Sequence, residues 1–131
     1  MVRPSIRFRV DFGRAAAIGP GKIALLEAIA RTGSLSQAAR ELKMSYRRGW
    51  LLLDSLNTSF HHPVAALSKG GKGGGGATLT PFGKTVVKAY RKFEIDVVRR
   101  ARSTFEAIAR DAVGIAGPRV QRRRLQKTAR P

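Results

Sequence analysis

The chain has 131 residues and no cysteine, and it carries 26 Lys and Arg against 8 Asp and Glu, a formal charge of +18. One domain of this size buries a core without staples, and the missing cysteines exclude disulfides, thiolate catalysis and Cys-type zinc sites together. Such a positive excess repels itself in a compact state and asks for a polyanionic partner, nucleic acid first and an anionic membrane surface second.

In chain order, residues 6–12 alternate Ile6, Phe8, Val10 and Phe12 with Arg7, Arg9 and Asp11, which predicts a strand with one buried face. Gly19-Pro20-Gly21 breaks the chain. A helix over 22–32 follows, with Ile23, Leu26, Ile29 and Ala30 on its apolar face and Gly33 at its end. Ser34-Leu35-Ser36-Gln37 reads as a capping box opening a short second helix to about Lys43, with Ala38, Ala39 and Leu42 inward. Met44-Ser45 reads as a tight turn, and Ser45 caps a third helix over 46–57. In that helix Trp50, Leu53 and Leu56 or Asn57 recur at helical spacing and Trp50 is read as core. Tyr46, Arg47, Arg48 and Leu51 fall on the other side. Gly49 costs roughly 1 kcal/mol against Ala in mid-helix, a cost that close helix–helix approach would explain.

Pro63 to Leu67 predicts a short strand, Ser68 to Gly76 a Gly-rich basic tip carrying Lys69 and Lys72, and Ala77-Thr78-Leu79 the returning strand. Thr80 as cap and Pro81 at the first helical position open a long helix. Its apolar residues are Phe82, Val86, Tyr90, Phe93, Val97, Ala101, Phe105 and Ile108. Taken as one helix over 81–114 it is about 51 Å long, longer than a small domain is wide, so its far stripe is expected to meet a second copy. Residues 115–131 are read as a basic, disordered tail, with Arg119, Arg122, Arg123 and Arg124 either gripping DNA or only aiding solubility. The order of elements is that of a mostly α winged helix-turn-helix with a small β wing and a long C-terminal dimerisation helix. The expected divisions are 1–80, 81–114 and 115–131.

Other chemistries fit poorly. A phosphate-binding loop needs Gly, four residues, then Gly-Lys-Ser/Thr. Gly83-Lys84-Thr85 supplies the end but Thr78 holds the first Gly position, and Gly71-Lys72 has Ala66 there and Gly73 after it. His61 and His62 are neighbours that point apart, with no acidic cluster beside them, and read as loop residues. Asn57-Thr58-Ser59 matches a glycosylation sequon without a secretion signal. Eight scattered acids build no paired-carboxylate site, so neither enzyme, metal nor cofactor is expected. No run nears the ~18 apolar residues of a membrane span and the start carries no signal peptide, so the expected compartment is the cytoplasm, at the nucleoid.

From Leu25 the motifs become specific: Leu25-Leu26-Glu27-Ala28-Ile29-Ala30, Thr32-Gly33-Ser34-Leu35-Ser36-Gln37-Ala38-Ala39, Ser45-Tyr46-Arg47-Arg48-Gly49-Trp50, Asn57, Gly70 to Ala77 and Leu79-Thr80-Pro81-Phe82-Gly83. Over about residues 6–95 the chain closely resembles the N-terminal DNA-binding domain of ModE-type molybdate-responsive transcription regulators, and more distantly LysR-type regulators. The resemblance implies a third helix in the DNA major groove, a wing on the backbone or minor groove, and dimerisation through the strand and the long helix. The sequence departs from the family at Gly49, where Ala is frequent, at Leu51, where Asp is common, and at Ala66-Leu67, where Glu-Arg is common. The family's molybdate-binding domains lie downstream of this part, so no molybdate binding is expected from this chain alone.

These readings assign double-stranded DNA to Ser34, Ser36, Gln37, Ser45, Tyr46, Arg47, Arg48, Leu51, Lys69, Lys72, Arg122 and Arg123. They assign a homodimer interface to Phe8, Tyr90, Phe93, Val97, Ala101, Phe105 and Ile108. The expected function is a dimeric transcription regulator. A nonspecific architectural DNA protein is the alternative, and a protein-interaction module using the long helix is a third reading.

Overall fold

A computed structural model describes residues 2–69 and 75–114; Lys72, Arg122, Arg123 and the whole expected tail lie outside the described residues. The elements are β1 (Val10–Phe12), β2 (Ala16–Ile18), α1 (Pro20–Thr32), α2 (Leu35–Glu41), α3 (Tyr46–Ser59), β3 (Ala65–Leu67), β4 (Ala77–Leu79), α4 (Pro81–Thr104) and α5 (Glu106–Asp111). The chain divides into two compact units, Arg7–Glu94, and a second that takes in Met1–Ile6 and Ile95–Pro131.

In the first unit the alternation of residues 6–12 survives as alternating exposure, but only Val10–Phe12 pairs, and its partner β2 was not foreseen. The two strands are antiparallel, with Val10 opposite Ile18 and Phe12 opposite Ala16. The turn between them uses Gly13 at φ 72°, a conformation open to glycine at no steric cost. Phe12, expected on the buried face, is 51% exposed, its ring edge-on to Phe60 at 5.8 Å. The break at Gly19-Pro20-Gly21 is in fact a helix start, with Gly19 as cap and Pro20 in the first turn of α1, where a missing N–H costs nothing.

Helix α1 is the core element. Ile23, Leu25, Leu26 and Ile29 are fully enclosed with Leu53 and Leu56 of α3 and Val64 before β3, each worth ~1.5–3 kcal/mol by burial. Ala30, expected inward, is exposed; Leu25 and Ala28 take its place. α1 ends at Gly33, φ 70°, whose N–H donates to the Ile29 carbonyl. The Gly33 carbonyl in turn accepts from the Ala77 N–H of β4 at 2.9 Å, joining α1 to the returning strand.

Strands β3 and β4 form an antiparallel hairpin with Ala65 opposite Leu79 and Leu67 opposite Ala77. The expected start of α4 is in place: the Thr80 hydroxyl accepts from the Gly83 N–H at 3.0 Å and donates to the Pro63 carbonyl at 2.6 Å. Val86 and Tyr90 of α4 join the core. The Phe8 and Tyr90 rings stack at 4.6 Å, and burial pushes the Tyr90 phenol up. Arg91 forks onto Glu27 of α1 through Nε at 2.9 Å and a terminal nitrogen at 2.5 Å, and also reaches Glu94 at 2.7 Å. These bonds hold the Glu27 carboxyl below its usual value and raise that of Arg91.

The single helix expected over 81–114 is two. Phe105 sits between α4 and α5 at φ −102°, ψ 14°. The Phe105 N–H still reaches the Ala101 carbonyl at 2.9 Å and the Ala109 N–H the Phe105 carbonyl at 2.8 Å. Ser103, Thr104 and Phe105 are all weak helix formers, which suits the irregularity. α4 has 24 residues and is therefore about 36 Å long. The whole is the winged helix-turn-helix expected, mostly helical with two small sheets. Among the described residues no helix is long and apolar enough to cross a membrane.

Candidate nucleic-acid interface

The turn from α2 into α3 is built locally. The Ser34 hydroxyl accepts from the Gln37 N–H at 3.2 Å, as the capping box requires. The reciprocal half is absent: the Ser34 N–H goes to the Thr32 hydroxyl at 3.3 Å instead. Thr32, given no capping role from sequence, thus replaces the Gln37 side chain, and Gln37 is exposed beside the exposed Ser36. After α2 the chain turns at Lys43, φ 56°, and the Met44 N–H returns to the Ala39 carbonyl at 3.0 Å. Ser45 then caps α3, its hydroxyl accepting from the Arg48 N–H at 3.1 Å. The first turn of α3 contains no acid, so the positive end of the helix dipole and two arginines act together on anything anionic there.

One face of α3 is spent on packing. Gly49, Leu53 and Leu56 are buried. A Cβ on Gly49 would meet the Ala39 methyl at 3.2 Å and Leu35 Cδ1 at 3.5 Å. This is the close helix approach that makes glycine worth its helical cost. It also overturns the reading of Trp50 as core. With Gly49 on the α2 side, Trp50 lies ~100° further round and is 42% exposed. The exposed face runs Arg47, Trp50, Leu51, Asp54 and Thr58, at spacings of three, four, seven and eleven. Arg48 is exposed and lies ~100° from Arg47 on one flank of this face, while Trp50 lies ~60° from it on the other flank. Tyr46 is 54% and Leu51 48% exposed.

The wing is tied to this helix by Asn57, another residue whose role sequence reasoning missed. Its Oδ1 accepts from the Val64 N–H at 2.7 Å and the Ala65 N–H at 3.3 Å, and its Nδ2 donates to the Ala65 carbonyl at 3.1 Å. A polar residue on the buried phase of an apolar helix was the available signal. At the wing base the Ser68 N–H donates to the Gly76 carbonyl at 2.8 Å, and the Gly76 N–H to the Ser68 hydroxyl at 3.0 Å. Lys69 is exposed just past β3.

Ser34 and Ser36 from α2, Tyr46 from α3, and Leu67, Ser68 and Gly76 from the wing line one open pocket of about 300 Å³. It brings three of the expected DNA residues together with the wing base. The side chains expected at a dimer interface divide differently. Tyr90 is 2% exposed, its hydroxyl donating to the Phe8 carbonyl at 2.8 Å, so Phe8 and Tyr90 are engaged within the first unit. Ala101 is buried and Val97 half-buried. Phe93, Phe105 and Ile108 are exposed, as are Ile95 and Val113, which the sequence reading left out. His61 and His62 are exposed, the latter 6.0 Å from the Phe82 ring.

A capped recognition helix, a tight turn behind it and a β wing beside it define a bacterial regulatory helix-turn-helix. Residues 21–84 match the family model described as bacterial regulatory helix-turn-helix protein, lysR family, so this stretch is similar to the helix-turn-helix of that family. Curated proteins are similar over much the same stretch. The molybdenum-pterin-binding protein MopB of Rhodobacter capsulatus is 44% identical over 91 residues, 70% of this chain and 33% of the relative. The DNA-binding transcriptional dual regulator ModE of Escherichia coli is 39% identical over 71 residues, 54% of this chain and 27% of the relative. The transcriptional regulator ModE of Haemophilus influenzae is 32% identical over 94 residues, 72% of this chain and 37% of the relative. The chain spans about a third of the length of the curated relatives it matches.

Proposed function

We propose that this chain is a ModE-like transcription regulator that binds double-stranded DNA as a homodimer, with α3 in the major groove and the β3–β4 wing on the backbone. The observation that carries this is the exposed start of α3. Ser45 caps it, Arg47 stands at the centre of its free face, and Asn57 fixes it to the wing. Arg47 is suited to guanine O6 and N7, while Arg48 on the flank and Lys69 at the wing are placed for phosphates. Ser34, Ser36 and Tyr46 line the pocket at the wing base, where a backbone passing from helix to wing would lie. Gln37 stands exposed beside them. Lys72, Arg122 and Arg123 are assigned to phosphates by charge alone.

The part matched to a family is the helix-turn-helix, so the molybdenum in the relatives' names is not carried into this reading, and neither catalysis nor a cofactor belongs to it. The regulator works in the cytoplasm. The proposed division is a DNA-binding part to residue 80, a helical segment from 81 whose far part carries the dimer contacts, and a basic tail from 115. The formal charge of +18 favours one second reading, a nonspecific architectural protein, which shares the fold and differs in specificity ratio. Competition of a labelled site from the native promoter by bulk genomic DNA separates them. A regulator prefers its site by ~10³-fold or more, and a ratio near one leaves only the architectural role.

A further inference from the structure

The free face of α3 is unusual for a surface in carrying two large apolar side chains around its arginine. Trp50 follows Arg47 by three residues and Leu51 by four, and they are 42% and 48% exposed. The buried face of the helix is already filled by Gly49, Leu53 and Leu56, so neither side chain is a displaced core residue. Asp54 shares the face one turn further on. A carboxylate is repelled by phosphates but can accept from the cytosine amino group, which directs this face to the floor of the groove rather than to its walls.

Of the groups that base edges present in the major groove, the thymine methyl is the apolar one. We propose that Trp50 and Leu51 read thymine methyl groups beside the base pair contacted by Arg47, so that the preferred site joins a guanine to neighbouring thymines. This rests on the DNA-binding reading above and adds the chemistry of its specificity. One helical turn advances roughly 5.4 Å and a base-pair step is ~3.4 Å, so the methyl groups lie within about two base pairs of the guanine. The exposed flanks of Trp50 and Leu51 exchange water for a methyl surface, while the guanidinium between them keeps its hydrogen bonds.

The test is selection of sites from random duplexes by the full chain, followed by replacement of each selected thymine with deoxyuridine, which removes the methyl and nothing else. The expected result is a site with thymine within two base pairs of a guanine, at which the methyl is worth roughly fourfold in Kd, as one buried methyl-sized group should be. Leu51→Ala and Trp50→Ala should each fold, since neither side chain belongs to the buried core, and each should bind thymine and deoxyuridine sites alike at its own position. A wild type indifferent to every methyl overturns the inference and leaves DNA binding intact. So does a variant that loses the same factor on both sites, because its side chain then acts through packing. A selection that enriches no sequence overturns the regulator reading itself.

Discussion

Gly83, in the first turn of α4, lies directly against the backbone of Val64: a Cβ built on it would overlap the Val64 carbonyl oxygen and stand 2.8 Å from the carbonyl carbon. The same carbonyl accepts the Thr80 N–H at 3.0 Å. The strand leading into the wing and the start of the long helix therefore share one point where nothing but a hydrogen fits. Gly83→Ala must move backbone, and overpacking of this kind costs ~1–3 kcal/mol or more. The expected outcome is a lower denaturation midpoint in urea. Gly21→Ala is the control, since nothing lies within 4 Å of its Cβ, and it should be neutral or slightly stabilising. Equal midpoints for the two variants would refute the close approach.

Asn57 offers a second test of the frame. Its amide makes three hydrogen bonds to Val64 and Ala65. Asn57→Ala leaves those backbone groups without a partner, and each unsatisfied buried group costs ~1–3 kcal/mol. Asn57→Asp keeps the acceptor and loses the donor, so it should fall between Ala and wild type at neutral pH. DNA affinity should drop further than stability explains, because the wing is no longer held at a fixed distance from α3. A variant that keeps full affinity while folded would show that the wing finds its place without Asn57.

Much of this arrangement is legible in the sequence, and the failures have physical causes. Ser34, Ser45 and Thr80 all cap the helices they were expected to cap, because a cap is a local chemical event written in neighbouring residues. The phase of α3 was legible except at Trp50: Leu53 and Leu56 are buried and Gly49 sits at a close helix approach, as read, but hydrophobic spacing also gave the core to Trp50, the largest apolar residue, which is 42% exposed. The β1–β2 hairpin was hidden because Ala16 and Ala17 have little strand propensity and its turn depends on one glycine. The Glu27–Arg91 pair joins residues 64 apart in sequence, a distance that no local pattern reports. At the candidate DNA surface the residue types could be read, but which arginine faces the groove depended on that placement of Trp50.

The Glu27–Arg91 pair makes folding sensitive to acid. Hydrogen bonds from Arg91 hold the Glu27 carboxyl below its usual value of 4.5, so near and below that value the unfolded chain binds the proton more readily than the folded one. The stabilisation is present above about pH 4.5 and is lost as pH falls through the folded value. Both side chains are about a third exposed, so the effect is modest. Glu27→Gln should lower the urea midpoint at about pH 7 and converge on wild type in acid. A constant difference at every pH would mean that the pair contributes by shape and not by charge.

Arg47→Ala should weaken specific DNA binding by about 1–3 kcal/mol with helical content unchanged, since the side chain is exposed. Arg48→Ala should act more evenly across sequences and reduce the slope of log affinity against log salt by about one. Removing residues 117–131, which hold six basic groups and no acid, should flatten that slope further if the tail touches phosphates. Should Arg47→Ala bind a selected site as tightly as wild type, α3 is not the reading helix.

The last prediction concerns assembly. Phe93, Ile95, Phe105, Ile108 and Val113 are all about half exposed or more, from 47% at Phe105 to 66% at Ile108. Exposed apolar groups mark an interface where they form one patch, and closed two-fold pairing is the commonest way to cover such a patch. Tyr90 is already committed to the core, so the expected interface begins at Phe93. A two-fold pair would also present two copies of α3 to successive major grooves, about 34 Å apart if the usual spacing holds. Phe93→Asp and Ile108→Asp each place a charge where the partner should sit, and an unpaired buried charge costs several kcal/mol. Because the Phe93 ring also meets Phe8 edge-on at 5.5 Å, Phe93→Asp alone could act through the fold. Ile108 is free of that ambiguity, so the two are measured together. The wild type should sediment as a dimer at micromolar concentration and both variants as monomers. DNA affinity should then fall by ~10²-fold or more, since two half-sites no longer bind as one unit. A wild type that sediments as a monomer with its helical content intact refutes the dimer, and the apolar residues past Phe93 would then need another partner.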